Sequence, residues 1–224
     1  MNDQRSFMLT EKSKALKMSI LGLVAYKRTG KDTLLTLLQT SSVTPYSVDH
    51  EESFWIIYAN PCLSVSYIES FLRQRRRRVG FADQLKENVH RELGLTEVTE
   101  HDKDHLYING KLLRDYYIEE GARGRAIDPL YWVKGVLPFS LEDAVVVTDV
   151  RFPNELDHIN KFDCLTARLY RSPVPLPSFH DVTERGLDQA ETDLLLVTSE
   201  AEYERALSLF PQYQHYKPVF VVPK

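Results

Sequence analysis

The sequence predicts an α/β fold in which helices cover both faces of a mostly parallel sheet. Short apolar runs, each long enough for one buried strand, alternate with segments of helical periodicity along most of the chain. This alternation is typical of βαβ units, whose crossover helices lie on the faces of a parallel sheet. The chain has 224 residues, of which 43% are hydrophobic, so it can bury the core that such a fold requires.

The strands are predicted from apolar runs that are short and end in polar or turn-forming residues. In chain order these runs are 19–25, 76–82, 142–150, 164–171, 193–198 and 219–222. Residues 45–61 have poor periodicity, although the aromatic and β-branched side chains among them should pack in the core. We expect the polar segment 1–17 to be a flexible N-terminal arm.

The helices are predicted from leucine-rich or amphipathic segments between these runs. They are 31–40, 67–72, 83–93, 111–121, 128–139, 152–162 and 200–210. Gly94 and Gly121 are expected to end the helices that precede them. Asp128 as the cap and Pro129 at the first helical position mark the start of another helix.

Composition excludes several classes of protein. The net charge of −4 indicates that the molecule as a whole does not bind polyanions, so any affinity for phosphate must come from a local patch. Cys62 and Cys164 lie far apart without metal-ligand spacing, which is typical of free thiols in a reducing compartment. Because the chain has neither an apolar signal region nor a run of about 20 apolar residues, we expect a cytoplasmic protein without a membrane partner.

The stretch GLVAYKRTGKDT, residues 22–33, has the features of a phosphate-binding loop. A buried strand ends, a short basic loop follows and a helix begins at the lysine, so backbone N–H groups can face an anion. Lys27, Arg28 and Lys31 place three cations within five positions. A chance Gly-Lys pair in a turn is the alternative, but it does not account for this clustering.

Two positions of this stretch depart from the usual pattern G-x-x-x-x-G-K-[ST]. Ala25 replaces the first glycine, which is acceptable where φ is negative. Asp32 replaces the hydroxyl residue, and a carboxylate beside phosphates becomes favourable if Mg²⁺ lies between them. Thr33 supplies a hydroxyl group one position later.

A second pair of charged residues follows the predicted strand 142–150. Asp149 lies at its carboxyl end, where it can hold magnesium, and Arg151 can clamp a phosphoryl group through two parallel hydrogen bonds. An ordinary ion pair at a strand end is the alternative interpretation.

Other polar residues follow strand ends or flank glycines, and each has a plain structural alternative. Asp83 and Lys86 lie at a strand-to-helix turn, where a helix cap beside a surface lysine is an equally good interpretation. Arg114, Arg123 and Arg125 flank glycines in a segment that could close on phosphates, or they belong to a solvated basic loop.

Aromatic and loop residues offer further candidates. The aromatic residues that either stack on a base or belong to the core, which is the favoured interpretation for most of them, are Tyr116, Tyr117, Tyr131 and Trp132. Arg171 ends a predicted strand, and His180 and Glu184 either orient a ligand or stabilise their loop. The basic run RQRRRR, 73–78, has no aromatic platform or groove-entering motif, so we expect no stable complex with nucleic acid.

Together these segments resemble the phage- and virus-type deoxynucleoside monophosphate kinases. The matching stretches follow the family's order across roughly residues 20–210: AYKRTGKDT, FADQLK, RAIDPLYWVK, TDVRFPNE, and HDVTERGLD followed by DLLLVTSEAEYERAL. GKDT is the family's own form of the loop, whereas Ala25 and the segment Val197-Thr198-Ser199 depart from its pattern. Animal-type phosphomevalonate kinases are relatives and the second candidate. A nucleotide-binding protein without transferase activity is a third.

The resemblance implies a P-loop kinase domain over 18–224, with a helical lid and substrate-binding segment at about 95–140. It implies transfer of the γ-phosphoryl group of ATP to a deoxynucleoside monophosphate with Mg²⁺. A homodimer and a viral protein in the host cytoplasm are both compatible with the sequence, which does not specify the bases accepted.

The resemblance also implies a role for each candidate residue. Those implied to bind ATP are Lys27, Arg28, Thr29, Gly30, Lys31, Asp32 and Thr33. Those implied to hold the metal are Asp32, Thr33 and Asp149, and the catalytic set is Lys31, Asp149, Arg151 and Arg125. Those implied to bind the acceptor are Asp83, Lys86, Arg114, Arg125, Trp132, Arg151, Glu155, Arg171, His180 and Glu184.

Overall fold

The computed structural model describes most of the chain, in two compact units. The described residues are 19–26, 29–40, 43–47, 53–99, 101–137, 144–172, 181 and 185–223. One unit is formed by those within 1–78 and 140–224, and the other by those within 79–139. The predicted arm 1–17 lies outside the described residues. Within the described part of the chain, no helix is both long and apolar enough to cross a membrane.

Strands and helices alternate along the chain. The strands are β1 Ser19–Ala25, β2 Thr44–Pro45, β3 Ser53–Ala59, β4 Arg77–Val79, β5 Tyr107–Ile108, β6 Lys111–Leu112, β7 Ala144–Val147, β8 Asp163–Leu169, β9 Leu194–Val197 and β10 Lys217–Pro223. The helices are α1 Lys31–Thr40, α2 Val65–Leu72, α3 Phe81–Leu93, α4 Leu113–Ile127, α5 Tyr131–Val136, α6 Pro153–Ile159 and α7 Glu200–Leu209. Short 3₁₀ turns span Asp102–Asp104 and Pro211–Tyr213.

Eight strands form one sheet in the order β2-β10-β3-β9-β8-β1-β7-β4. At its centre β7 and β8 pair in parallel with opposite sides of β1, and β9 pairs in parallel with β8. Beyond β9 the strands β3, β10 and β2 are antiparallel to their neighbours. The predicted α/β fold with a mostly parallel sheet is therefore confirmed, and the antiparallel edge is an addition to it.

Both faces of the sheet are covered, as predicted. Leu194 and Leu196 of β9 belong to a buried cluster that includes residues of α1 and α2. Leu195 and Val197 of the same strand belong to a second buried cluster that includes residues of α7. Successive strand residues point to opposite faces, so β9 is apolar throughout because it is buried on both sides. Each fully buried leucine contributes about 2 kcal/mol to folding.

The predicted strand 76–82 is too long, because only Arg77–Val79 is a strand and the helix α3 begins at Phe81. Asp83 therefore does not precede the helix but lies in its first turn. There its carboxylate accepts the backbone N–H of Gly80 at 2.9 Å. This bond satisfies a donor at the helix start and supports the cap interpretation of Asp83.

The predicted end of a helix at Gly121 is wrong, because α4 continues to Ile127. Gly121 and Gly124 are both buried within it. A Cβ atom on Gly124 would lie 2.5 Å from the Trp132 indole, so glycine permits close packing there and does not mark a flexible segment.

The helix predicted over 128–139 begins later than expected, because α5 spans Tyr131–Val136. Asp128 accepts the backbone N–H of Leu130 at 2.8 Å and so closes a turn before the helix begins.

The basic run 73–78 is not uniformly exposed. Arg76 is 7% exposed, and its guanidinium lies 4.2 Å from the centre of the Phe71 ring. Its Nη2 donates to the Ser19 hydroxyl at 3.1 Å and to the Phe71 carbonyl at 2.5 Å. Burial lowers the pKa of Arg76 to about 10. Arg76 therefore joins the start of β1 to the end of α2, which removes one cation from the surface patch.

Candidate active site

The loop after β1 lies between the loops that follow β7 and β8. Because these strands flank β1 in parallel, their three carboxyl ends lie at one edge of the sheet. Ala25 pairs with Leu169 at the end of β8, and Gly22 pairs with Val147 at the end of β7. Asp149, two residues beyond Val147, is thus level with the last residues of β1. Ligands of parallel sheets bind beyond such strand ends.

The described residues between β1 and α1 are joined by hydrogen bonds to Tyr26. The carbonyl oxygen of Tyr26 accepts the hydroxyl of Thr29 at 2.9 Å and the ammonium group of Lys31 at 3.2 Å. Thr29 is 1% exposed, so its hydroxyl stabilises the loop from within. The backbone N–H of Leu34 donates to the Gly30 carbonyl at 2.9 Å as the helix begins. The candidate residues Lys27 and Arg28 lie outside the described residues.

Gly30 has a φ of 95°, which side-chain-bearing residues rarely adopt. A Cβ atom at this position would lie 3.5 Å from Cζ2 of Trp55 and 3.9 Å from Nη1 of Arg171. Gly30 therefore lies close to the buried Trp55 indole of β3 and to the guanidinium group of the exposed Arg171. The sequence predicts Arg171 at a strand end, but no local pattern in it predicts that Trp55 lies near this loop.

The first turn of α1 presents oxygen atoms to solvent. Asp32 and Thr33 are exposed, and Lys31 is half-buried. An acidic side chain in this turn also suits the helix dipole. Among the described residues no preformed group of three or more histidine, cysteine, aspartate or glutamate side chains could hold a metal.

The loop after β7 is held by Glu155. The buried carboxylate of Glu155 accepts the backbone N–H groups of Arg151 at 2.8 Å and of Phe152 at 3.1 Å. It thereby caps α6 and fixes the backbone that carries Arg151. The side chains of Asp149 and Arg151 are each half-exposed. Glu155, predicted to shape the acceptor pocket, therefore has a structural contact that positions Arg151.

Tyr26 carries a contact that sequence reasoning missed. Its hydroxyl donates to Oδ1 of Asp188 at 2.7 Å, and Oδ2 of Asp188 pairs with Nε of Arg185 at 2.8 Å. Burial, followed by the hydrogen bond to Asp188, raises the pKa of Tyr26. The phenol therefore keeps its proton to a higher pH than an exposed tyrosine does. Both residues occur in stretches of the family resemblance, AYKRTGKDT and HDVTERGLD, but the sequence does not pair them.

The segment 185–190 is anchored to the sheet by a buried arginine of β8. Arg168 donates through Nε to the Tyr213 hydroxyl at 3.0 Å and through Nη2 to the carbonyl oxygens of Leu187 and Ala190. Its guanidinium also lies 4.3 Å from the centre of the Phe210 ring. The candidate residues His180 and Glu184, which precede this segment, lie outside the described residues.

The remaining candidates belong to the unit of 79–139: Asp83, Lys86, Arg114, Arg125 and Trp132. Within this unit Arg114 pairs with Asp104 at 2.9 Å. Trp132 is 5% exposed, and its Nε1 donates to the Gly121 carbonyl at 3.1 Å. Trp132 thus packs in the core of its unit, which favours the core interpretation over a base-stacking surface.

Comparison with known proteins does not identify a family for this chain. No model of a protein family matches it, and no curated protein matches it significantly.

Proposed function

We propose that the chain is a P-loop kinase that uses ATP to phosphorylate deoxynucleoside monophosphates to diphosphates. The observation that carries this proposal is the loop between β1 and α1, where Gly30 has a φ of 95° and Lys31 is the first residue of the helix. Loops with Asp149 and Arg171 flank it on either side. The stretches AYKRTGKDT and TDVRFPNE, which resemble the deoxynucleoside monophosphate kinases, direct the choice of acceptor.

Lys31 and the start of α1 are suited to the triphosphate. α1 has 10 residues, and the N–H groups of its first turn carry partial positive charge. The Lys31 ammonium lies 3.2 Å from the Tyr26 carbonyl oxygen. Because an ammonium group has several N–H donors, Lys31 can keep this bond and also donate to a phosphate oxygen, with which it would form a hydrogen bond between opposite charges.

The oxygen groups at the sheet edge suit a divalent cation. Asp32 and Thr33 on α1 and Asp149 after β7 would hold Mg²⁺, which neutralises phosphate oxygens when it is bound. An exposed carboxylate at Asp32 would otherwise repel the phosphates that Lys31 attracts. A Mg²⁺ ion bound by these oxygen groups would therefore make an acidic residue compatible with a phosphate-binding loop.

Arg151 and Arg171 supply guanidinium groups on the two sides of the loop. Phosphoryl transfer requires little covalent help from the protein, so positioning and positive charge supply most of the rate. Glu155 fixes the backbone of Arg151, whose guanidinium group would hold a phosphoryl group. The residues assigned to the acceptor by the resemblance alone are Asp83, Lys86, Arg114, Arg125, Trp132, His180 and Glu184.

The test is incubation with ATP, Mg²⁺ and one acceptor at a time, followed by detection of diphosphate products. The acceptors are all deoxynucleoside monophosphates, their ribose counterparts and phosphomevalonate. We expect product from at least one deoxynucleotide. Product from phosphomevalonate alone would instead identify the second candidate. ATP binding without product from any acceptor would identify a nucleotide-binding protein without transferase activity.

A pair of lysine variants tests the loop itself. Lys31→Ala should abolish product formation and leave the circular dichroism spectrum unchanged. Lys161→Ala, at an exposed lysine after α6, removes the same charge and should leave activity unchanged. Normal turnover by Lys31→Ala would show that this loop does not bind the phosphates.

A further inference from the structure

Tyr26 forms hydrogen bonds through both its backbone carbonyl and its side-chain hydroxyl group. Its carbonyl oxygen accepts the Thr29 hydroxyl at 2.9 Å and the Lys31 ammonium at 3.2 Å. Its phenol hydroxyl donates to Oδ1 of Asp188 at 2.7 Å. The ring is buried, with the centre of the Phe210 ring 6.2 Å away. The residue that begins the phosphate loop is thus fixed by a carboxylate 162 positions later in the chain.

Asp188 is a rigid anchor because it is itself bound at several atoms. Its second carboxylate oxygen pairs with Arg185 at 2.8 Å, and its carbonyl accepts the side-chain amide of Gln212 at 2.9 Å. Its backbone N–H donates to the Arg185 carbonyl at 3.0 Å. The adjacent carbonyl of Leu187 is bound by the buried Arg168. Asp188 is therefore held in place relative to the sheet, and its hydrogen bond holds the Tyr26 side chain in place in turn.

We propose that the hydrogen bond between Tyr26 and Asp188 positions the phosphate loop, so that Tyr26, Asp188 and Arg185 are positioning residues for Lys31. Without the Asp188 carboxylate the Tyr26 hydroxyl loses its acceptor, so the tyrosine can shift. A shifted Tyr26 carbonyl would lose its hydrogen bonds to the Thr29 hydroxyl and the Lys31 ammonium. A loop that must be ordered by its ligand binds that ligand more weakly than a preorganised one. The consequence for ATP rests on the proposed function, whereas the ordering of the loop does not.

The chain offers a matched control for this bond. Tyr67 of α2 donates its hydroxyl to Oδ1 of Asp163 at 2.9 Å, which is the same kind of bond in the same unit. Asp163 pairs with Ser19 at the amino end of β1, whereas Tyr26 follows its carboxyl end. Tyr67→Phe therefore removes an equivalent hydrogen bond without touching the loop.

The first measurement is amide hydrogen exchange of the full-length protein without any ligand. Tyr26→Phe and Asp188→Ala should each speed exchange in the peptide covering residues 29–34, and Tyr67→Phe should not. Asp188→Asn keeps an acceptor oxygen for the Tyr26 hydroxyl, so its exchange should lie between those of the wild type and Asp188→Ala.

The second measurement is steady-state kinetics. Tyr26→Phe should raise KM for ATP about tenfold, the effect of losing a hydrogen bond to a charged group, and should change KM for the acceptor much less. The double variant Tyr26→Phe/Asp188→Ala should be no worse than Asp188→Ala alone, because the bond that Tyr26→Phe removes is already lost in Asp188→Ala.

Two outcomes overturn the proposal. One is exchange in residues 29–34 that rises no more in Tyr26→Phe than in Tyr67→Phe. The other is an unchanged KM for ATP in an active Tyr26→Phe protein. If the wild type phosphorylates no acceptor, the proposed function fails, and hydrogen exchange alone decides whether Asp188 orders the loop.

Discussion

The indole of Trp132 packs directly on the backbone of Gly124, where a Cβ atom would lie 2.5 Å from the ring. The ring cannot shift freely, because its Nε1 donates to the Gly121 carbonyl at 3.1 Å. Glycine in a helix interior costs about 1 kcal/mol relative to alanine. The close packing of α4 on α5 depends on glycine at position 124 despite this loss of helix stability, because any larger residue there would push the two helices apart.

Gly124→Ala should therefore destabilise the protein by about 1–3 kcal/mol, the usual effect of overpacking a core. The measurement is urea denaturation followed by tryptophan fluorescence, since Trp55 and Trp132 each report on one unit. Gly135→Ala is the control, because a Cβ atom at this α5 position would meet no atom within 4 Å. That variant should be as stable as the wild type or about 0.5–1 kcal/mol more stable. Equal destabilisation by both would contradict the packing argument.

The parallel core was predictable because its strands are short apolar runs that alternate with helical segments. The strand β3 was not recognised within residues 45–61. Its described residues Trp55 to Ala59 are all buried and are shared between the clusters on the two faces of the sheet. A strand that is apolar on both faces has no alternation to distinguish it from other buried segments. The antiparallel edge of the sheet was therefore not predicted either, because β3 joins it to β9.

The candidate site was predictable only where its residues are neighbours in the sequence. Spacing alone indicated the turn at Gly30, the lysine that follows it and the aspartate after β7. The bond from Tyr26 to Asp188 and the contact of Trp55 with Gly30 join distant parts of the chain. No local pattern encodes such pairs, since they arise only when strands β1, β3 and β8 are placed in one sheet.

On the proposed function, Gly30→Ala should weaken ATP binding because it forces a side chain into a φ of 95°. Strain of about 1–2 kcal/mol is expected, together with a new contact to Trp55. If the loop relieves this strain by moving, the Kd for ATP with Mg²⁺ should rise about tenfold or more by calorimetry. Gly110→Ala is the control, since Gly110 has a φ of 79° in the hairpin between β5 and β6. The Gly110→Ala protein should lose about as much stability as Gly30→Ala but keep the wild-type Kd for ATP.

Stability should fall as the pH rises above 10, because buried tyrosines keep their protons in the folded state. Tyr216 donates to the Thr192 carbonyl and, at 3.1 Å, to Glu191. Burial, followed by the charge of Glu191, raises the pKa of Tyr216 from its ordinary value of 10.0. Above that pH the unfolded chain loses this proton while the folded protein retains it. The folded state then binds more protons, so each further pH unit costs about 1.4 kcal/mol per such tyrosine.

Tyr216→Phe should therefore reduce the slope of unfolding free energy against pH by about 1.4 kcal/mol per pH unit above pH 10. Urea denaturation at a series of alkaline pH values measures this slope. Tyr107→Phe, which removes the hydroxyl of an exposed ring, should leave the slope as it is. A slope that Tyr216→Phe does not alter would mean that this phenol ionises equally well in the folded protein.

If the chain is the proposed kinase, Asp149→Asn should raise the Mg²⁺ concentration needed for half-maximal activity by about 10–100-fold. Asparagine keeps an oxygen ligand but removes the negative charge that attracts the cation, so activity should recover at high Mg²⁺. Asp157→Asn removes the same charge from an exposed position on α6 and should leave the requirement unchanged. A parallel shift in both variants would indicate a general effect of net charge. An unchanged requirement in Asp149→Asn would show that the carboxylate beyond β7 does not contact the metal.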